Sequence, residues 1–592
     1  MAEVLVSWIF IAITSYVTGF EICSLLTGLL AGRRQVGYDD GRNEGDAFMR
    51  SLKAAAHPNV LICLIGLCAV NVYAQIVSLL TGVGMWADYI LMFLCLIIVC
   101  ADRSRIGKAL DIGHSLWKRP VKGIIYVILI LLMAYGTSRG YMHFDTNLYH
   151  AQAIRWVEEF GVTPGLANIQ SRFGYNSAVF TLNALYGFKW FLGRSLHTSA
   201  GFFALLSSFV AAGICDGDER ADTDTDFARR IRISDYVRLG LIFYLGLIYS
   251  GMISPSSDYY AQLLLFDIVI IWIDVKKDEE DDLRMAYYGI LCLLIVYAIT
   301  IKLSLAPLIL LSLIPGVCWI RRKNYRSILT CVISGLVVAV PHLIRGYILS
   351  GWILYPSVAV SIGAPDWRLP KGMAEYDAKE IGMWGRGITR AEDWDKVTAL
   401  NWIPGYVASL SPMEKVWLTA AIISVVYIAV ITVRRLLQRS YGRDTALMDI
   451  LCIGAVVWFI KAPLIRYGHV YIIMIPTLTL GYVTQRLYEG DQSGIWKRTR
   501  LMTFTVLALF IGGLKAKGLI SDVMRTIDEP YYVNQQDYID GEAFEYTVDG
   551  TVFYVAEDSG QIGYYKFPST VEERHDFHLR GEDISDGFCH AE

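Results

Sequence analysis

The chain is built from long apolar runs separated by short charged loops. Fourteen runs lie at 4–30, 60–79, 87–100, 123–136, 200–214, 239–251, 260–273, 287–300, 303–319, 329–344, 416–433, 447–460, 470–487 and 501–513. About 20 apolar residues in a helix cross a bilayer. Lipid offers no partner to backbone N–H and C=O groups, so only helices or a closed barrel can span it. A barrel would alternate apolar and polar residues over segments of about 10, which these runs do not. Composition agrees: 54% of the 592 residues are hydrophobic, more than a soluble domain needs. The expected fold is an all-α polytopic membrane protein of about 14 transmembrane helices. A net charge of -3 argues against nucleic acid as a partner. The 11 cysteines form no Cys-x-x-Cys pair and mostly sit inside apolar runs, for example Cys63, Cys68, Cys95 and Cys100. They read as buried thiols.

Lys and Arg orient the bundle. Arg33, Arg34, Arg42, Arg50 and Lys53 follow the first run, and Arg103, Arg105, Lys108, Lys118, Arg119 and Lys122 the third. Arg229, Arg230 and Arg232, then Lys276 and Lys277, then Arg321, Arg322 and Lys323 occupy later loops. Arg434, Arg435 and Arg439, then Lys497, Arg498 and Arg500, come last. All can be cytoplasmic at once if the N-terminus starts outside and 174–193 does not cross. That segment is interrupted by Asn176, Asn183 and Lys189, so it is expected as a helix on the outer surface. Segments 140–198, 254–258, 350–413 and the tail then face outside. Three parts are expected: an N-terminal transmembrane module (1–122), a transmembrane core (123–515) and an extracytoplasmic tail (516–592). Within the tail, two β-rich runs flank Asp549-Gly550, which reads as a hairpin in a small extended appendage. The acidic stretches 216–226 and 278–282 read as solvated loops.

The ionisable residues near expected span ends carry the chemistry. Asp145 follows the fourth run, in Gly140-Tyr-Met-His143-Phe-Asp145-Thr-Asn-Leu-Tyr149-His150. A carboxylate there can accept the proton of an acceptor hydroxyl while a glycosidic bond to phosphate breaks; it can equally cap the helix that follows. Asp258, in Ser254-Pro-Ser-Ser-Asp258, opens a later run and fits a second site acid or another cap. Lys302 lies between two apolar runs with almost no loop, where a cation calls for an anion such as a phosphate, or snorkels to headgroups. Arg345 and Arg466 stand at span ends. Arg suits bidentate phosphate binding, and interfacial anchoring is its ordinary alternative. Arg466 follows Pro463, and broken helices tend to line sites. The loop holding Asp366, Trp367, Arg368, Trp384, Arg386 and Trp402 suits sugar faces or a headgroup zone equally.

The stretch from Asp145 to residue 214 resembles the start of the GT-C superfamily of integral-membrane glycosyltransferases. It is similar to the protein O-mannosyltransferases and the lipid A aminoarabinose transferases. The matching residues are Asp145, Tyr149, Ala153 and Gly161, then 173–193 as a surface helix and 196–214 as a span. The resemblance implies that Asp145 is the catalytic base; Asp258 is read beside it as a second site acid. The donor would be a polyprenyl-phosphate-linked sugar, and the acceptor an envelope glycan or lipid on the outer face of a bacterial cytoplasmic membrane. His143, Tyr149, His150, Lys302, Arg345, Arg466 and Trp367 are the expected substrate contacts. Thr146 stands where those relatives often have a second acid, which leaves open whether a divalent metal ion takes part. Asp145 and Asp258 would be its ligands. The spans in 1–122 imply an added module. The chain as a whole, through the Ser254–Asp258, Lys302 and Arg466 motifs and Arg580-Gly581…Gly587-Phe588, also resembles an uncharacterised family of large bacterial envelope membrane proteins. The alternative class is a transporter or flippase of a lipid-linked glycan, or an O-antigen-type polymerase or ligase. A transporter carries polar groups near mid-membrane in paired broken helices. Here the charges gather at span ends, with Glu21 the main exception.

Overall fold

A computed structural model describes residues 1–31, 57–101, 120–214, 230–275, 281–389, 391–489, 495–527, 531–557 and 560–591. The basic loop positions in 32–56 and 102–119, together with Arg229, Lys276, Lys277, the acidic stretch 216–226 and Asp278, Glu279 and Glu280, lie outside the described residues.

The chain is mostly helical. In order come α1 (Ala2–Ala31), α2 (Pro58–Ser78), α3 (Met85–Ala101), α4 (Pro120–Ser138), α5 (Ala151–Phe160), α6 (Ala178–Leu185), α7 (Ser199–Ala211), α8 (Ile233–Ile248), α9 (Ser257–Asp274) and α10 (Asp281–Ile301). A 3-10 stretch (Leu303–Ser312) leads into α11 (Leu313–Arg321), then α12 (Tyr325–Ser350), α13 (Lys371–Gly385), α14 (Ala399–Ser409), α15 (Pro412–Leu437), α16 (Arg443–Lys461), α17 (Ile465–Glu489) and α18 (Ile495–Ile527). Each of the fourteen apolar runs falls on a helix. Among the described residues, eight helical segments are long and apolar enough to cross a membrane: α1, α2, α4, α10, Leu303–Arg321, α12, α15 and α18. The other runs fall short for identifiable reasons. The helices α3 and α7 have 17 and 13 residues, and α9 carries Asp258, Asp267 and Asp274 within its 18 residues. The 174–193 segment is in short pieces, the longest being the eight-residue α6, about 12 Å at 1.5 Å per residue. That is too short to cross.

Local chemistry sets several boundaries. Pro412 opens α15 behind Ser411, whose hydroxyl accepts from the Glu414 N–H while the Glu414 carboxylate accepts from the Ser411 N–H, a reciprocal cap. Asn324 caps α12, and Gly351, at φ 75°, ends it. Helices α1 and α2 touch backbone to backbone: a Cβ on Gly19 would sit 1.9 Å from the Ile62 carbonyl oxygen, and one on Gly66 1.7 Å from that of Ser15. Small residues allow this approach where lipid supplies no hydrophobic drive between helices.

The tail forms two small sheets. Strands β1 (Ala543–Val548) and β2 (Thr551–Ala556) pair antiparallel, and β3 (Ser569–Thr570) joins β2 in parallel. Strands β4 (Phe577–Leu579) and β5 (Phe588–His590) form the second sheet. The hairpin turn is Asp549-Gly550, both with positive φ (50° and 82°), the pairing that a two-residue turn requires. Before it, α18 runs on unbroken past residue 516 to Ile527. The tail then packs back over one end of the bundle. The Asn147 carbonyl accepts from the N–H groups of Ile562 and Gly563 (3.1 and 3.0 Å). Gln152 and Arg155 of α5 donate to carbonyls of residues 563–566.

Candidate functional site

The loop after α4 is tied to the turn between α8 and α9. Gly140 (φ 146°) lets the chain pass against Ser250, where a Cβ would meet the carbonyl oxygen at 2.2 Å. The Tyr141 N–H donates to that carbonyl at 2.7 Å, and the His143 N–H donates to the Ser254 hydroxyl at 2.7 Å. These bonds bring His143 and Asp145 to the start of α9, where Asp258 lies.

Neither aspartate caps a helix. Asp145 has helical φ and ψ (−63°, −20°) and no capping bond. Ser256 occupies the cap position of α9, with Asp258 two residues inside. Both side chains turn instead to cations contributed from far along the chain. Arg466 Nη2 donates to Asp145 Oδ2 at 2.5 Å, and Arg466 Nε lies 3.6 Å from Asp258 Oδ2. Lys302 forms an ion pair with Asp258, and its ammonium sits 3.6 Å above the Tyr467 ring centroid. The cluster is therefore two carboxylates and two cations in alternation.

Arg466 is held in place by its surroundings. Pro463 breaks the chain between α16 and α17. Gly468 presses α17 onto the Trp458 ring, leaving 2.1 Å for any added Cβ. From α9, Gln262 donates to the Arg466 carbonyl (2.7 Å) and accepts from the Val470 N–H (3.0 Å), which closes the open first turn of α17. Gln262 stands four residues after Asp258, so one face of α9 presents both the acid and the clamp. Sequence reasoning missed Gln262; its only local trace is this i,i+4 spacing.

Electrostatics follow from this packing. Burial pushes the Asp145 carboxyl up, but Arg466, His150 and His143 more than offset it and hold it below the ordinary carboxylate value. Burial and then Arg466 push His143 down to about 4. Its Nε2 contacts Arg466 Nη1 and its Nδ1 faces the Asp145 N–H at 3.1 Å, so both ring nitrogens meet donors and the site favours the neutral ring. Burial brings His150 down to about 3.

Thr146–His150 is a π-helical turn, a form that recurs at functional sites. Tyr149 stands edge-on to Tyr175 and Phe180, and after burial the Asp145 charge does most to push its hydroxyl up. Behind Tyr149, the hydroxyls of Ser171 and Tyr175 donate to buried Asp377 (2.9 and 3.1 Å), a polar group the sequence did not single out. Arg345 lies outside the cluster. It is buried, bonded to Ser78 and to Asn176 (3.3 Å), and ties α12 to α2. Trp367 is also elsewhere, stacked under Arg580 of the tail at 4.8 Å. Tyr141, Phe144 and Leu303 stand exposed beside the cluster and give it an apolar skirt.

The donor set does not suit a divalent ion. Among the described residues no group of three or more His, Cys, Asp or Glu is placed to hold a metal. The Arg466 guanidinium already lies against both Asp145 and Asp258, so the place between the two carboxylates is held by an organic cation.

No curated protein matches the chain. A family profile does match over residues 1–473, a span that contains Asp145, Asp258, Lys302 and Arg466. The chain belongs to that family, described as a domain of unknown function, DUF8201.

Proposed function

We propose that this is a GT-C-type glycosyltransferase that moves a sugar from a polyprenyl-phosphate donor to an envelope glycan or lipid-linked acceptor. In this reading all fourteen runs cross the bacterial cytoplasmic membrane, and the tail end of the bundle faces away from the cytoplasm. The observation that carries it is the alternation of Asp145, Arg466, Asp258 and Lys302 at that end, with neither acid used as a cap. The donor phosphate takes the two cations, which releases Asp145 from Arg466. The acceptor oxygen then attacks the anomeric carbon as the bond from that carbon to the phosphate oxygen breaks. The acceptor proton passes to Asp145, and the lipid phosphate leaves as an anion stabilised by Arg466 and Lys302. The exposed apolar residues Tyr141, Phe144 and Leu303 suit the lipid chain.

Native mass spectrometry tests the recognition step with purified protein. Polyprenyl phosphate is expected to bind, the uncharged polyprenol is not, and Arg466→Gln should lose the phosphate lipid. Equal binding of phosphate lipid and polyprenol would refute the assignment of the cations.

A further inference from the structure

The loop that carries Asp145 is held from outside itself. Residues 139–143 belong to no helix or strand, so their backbone N–H groups need partners elsewhere. Two of these partners are the Ser250 carbonyl and the Ser254 hydroxyl. A third comes from the tail: the Gln536 side-chain carbonyl accepts from the Gly140 N–H at 3.0 Å. The same tail segment is seated on the end of α4. The Gln536 N–H donates to the Ser138 carbonyl (2.7 Å), and the side-chain amide of buried Gln535 donates to the Thr137 carbonyl (3.1 Å). The gap left between this segment, Met142, Leu196 and Ile253 is about 10 Å³, room for about one water molecule, so loop and tail pack closely there.

A second tail segment holds the other side of Asp145. Two residues after it, the Asn147 carbonyl accepts from the N–H groups of Ile562 and Gly563. The two tail segments are joined to each other. Asp540 and Gly563 pair as an isolated antiparallel bridge. Gly563, at φ 73°, lies so close that a Cβ would meet the Ile539 carbonyl oxygen at 2.1 Å. Gln152 fixes this joint to α5 by donating to the carbonyls of Gly563 and Lys566, both at 3.0 Å. The tail therefore grips residues 140 and 147, on either side of Asp145, as one piece.

We infer that the tail is a clamp that positions the Asp145 loop, with Gln536 as a positioning residue. The inference rests on the proposed transfer reaction and adds the moment at which the clamp matters. In the resting cluster Arg466 itself holds Asp145. Once a donor phosphate takes Arg466, that bond is gone, and the base is located by the anchors of its loop: Gln536 at Gly140, Ser250 and Ser254 at Tyr141 and His143, and the tail N–H groups at Asn147. Chemistry takes place in that state, where a displacement of about 1 Å can cost up to about 10²-fold in rate. Arg466 and Lys302, which take the donor phosphate, are carried by other elements. Loosening the clamp should therefore slow transfer and leave donor affinity as it was.

The test compares full-length wild type, Gln536→Ala and Gln536→Glu. Gln536 is half-buried, and neither change touches its backbone bond to Ser138, so both variants should fold. Glutamate keeps the accepting oxygen; alanine does not. Hydrogen exchange over residues 139–148, read by mass spectrometry, needs no activity. In Gln536→Ala it should quicken roughly 3- to 10-fold at several loop amides beyond Gly140, with α9 and α17 unchanged and Gln536→Glu near wild type. In proteoliposomes, kcat should fall roughly 3- to 10-fold in Gln536→Ala and recover in Gln536→Glu, while polyprenyl phosphate binds all three proteins alike. Equal exchange in wild type and Gln536→Ala would overturn the clamp. Faster exchange with unchanged kcat, or an equal loss in both variants, would overturn the positioning role. If wild type transfers no sugar, the transfer reading fails by itself, and the exchange result alone decides the clamp.

Discussion

Replacing Asp145 by Asn separates chemistry from scaffolding. In the resting cluster Lys302 and Arg466 face Asp145 and Asp258, with His143 neutral, so the formal charge is zero. The amide removes one negative charge and keeps its size. Arg466 retains Asp258 at 3.6 Å and the Tyr467 hydroxyl at 3.2 Å, and no helix cap is lost, so the fold should survive with a cost of about 1 kcal/mol. Asparagine cannot take up the acceptor proton, so turnover should fall roughly 10²- to 10⁴-fold, about 2.7–5.5 kcal/mol in the barrier. Donor binding should move the opposite way. A carboxylate about 6 Å from the donor phosphate repels it by about 0.7–2.8 kcal/mol for effective dielectric constants between 80 and 20, so losing it tightens the donor roughly 3- to 100-fold. The assay is sugar transfer from radiolabelled polyprenyl-phosphate donors in proteoliposomes, with donor affinity measured separately. Reduced kcat with tighter donor binding is the expected signature. Transfer near the wild-type rate would refute Asp145 as the base, and loss of donor binding would refute the exchange of partners at Arg466.

Gln262→Ala should free the first turn of α17 and weaken donor binding more than it slows turnover. It removes bonds of 2.7 and 3.0 Å and should cost about 1–3 kcal/mol in stability, read by thermal unfolding and a KM-against-kcat comparison. Acid should destabilise the site. His143 titrates near 4 when folded and near 6.5 unfolded, so the unfolded chain binds more protons between those values. Stability is then full above pH 6.5 and falls by up to about 3 kcal/mol towards pH 4. Asp145, held low, adds stability that is present above its unfolded value and is lost as pH drops through its folded one; unfolding titrations at several pH values check both. In the tail contact, Glu158 accepts from the hydroxyls of Ser195 and Tyr564 and lies 3.2 Å from His197. Glu158→Ala should cost about 2–4 kcal/mol and expose residues 531–591 to limited proteolysis. In intact cells without Cys589, an impermeant maleimide should label Glu545→Cys but not Arg439→Cys; the reverse pattern would invert the proposed orientation.

Features of short range were legible in the sequence. Continuous apolar runs give helices because lipid leaves the backbone no other partner. The Asp549-Gly550 turn followed from the positive φ that a two-residue hairpin needs. Asp145 and Asp258 could be singled out because a carboxylate beside an apolar run is rare. Sequence left Asp145 evenly placed between the site and a cap and inclined Asp258 towards the cap, since an acid at a helix start looks the same in both roles. Only tertiary structure showed that neither side chain makes a capping bond. The partner of Asp145 is 321 residues away at Arg466, and a contact of that separation leaves no local pattern. The same holds for the Gln262 clamp. Arg345 and Trp367 show the converse. Their residue types fit a phosphate or a sugar, yet packing gave them to Ser78 and Asn176 and to Arg580. Residue type fixes what a side chain can bind, and the path of the chain fixes what lies within its reach.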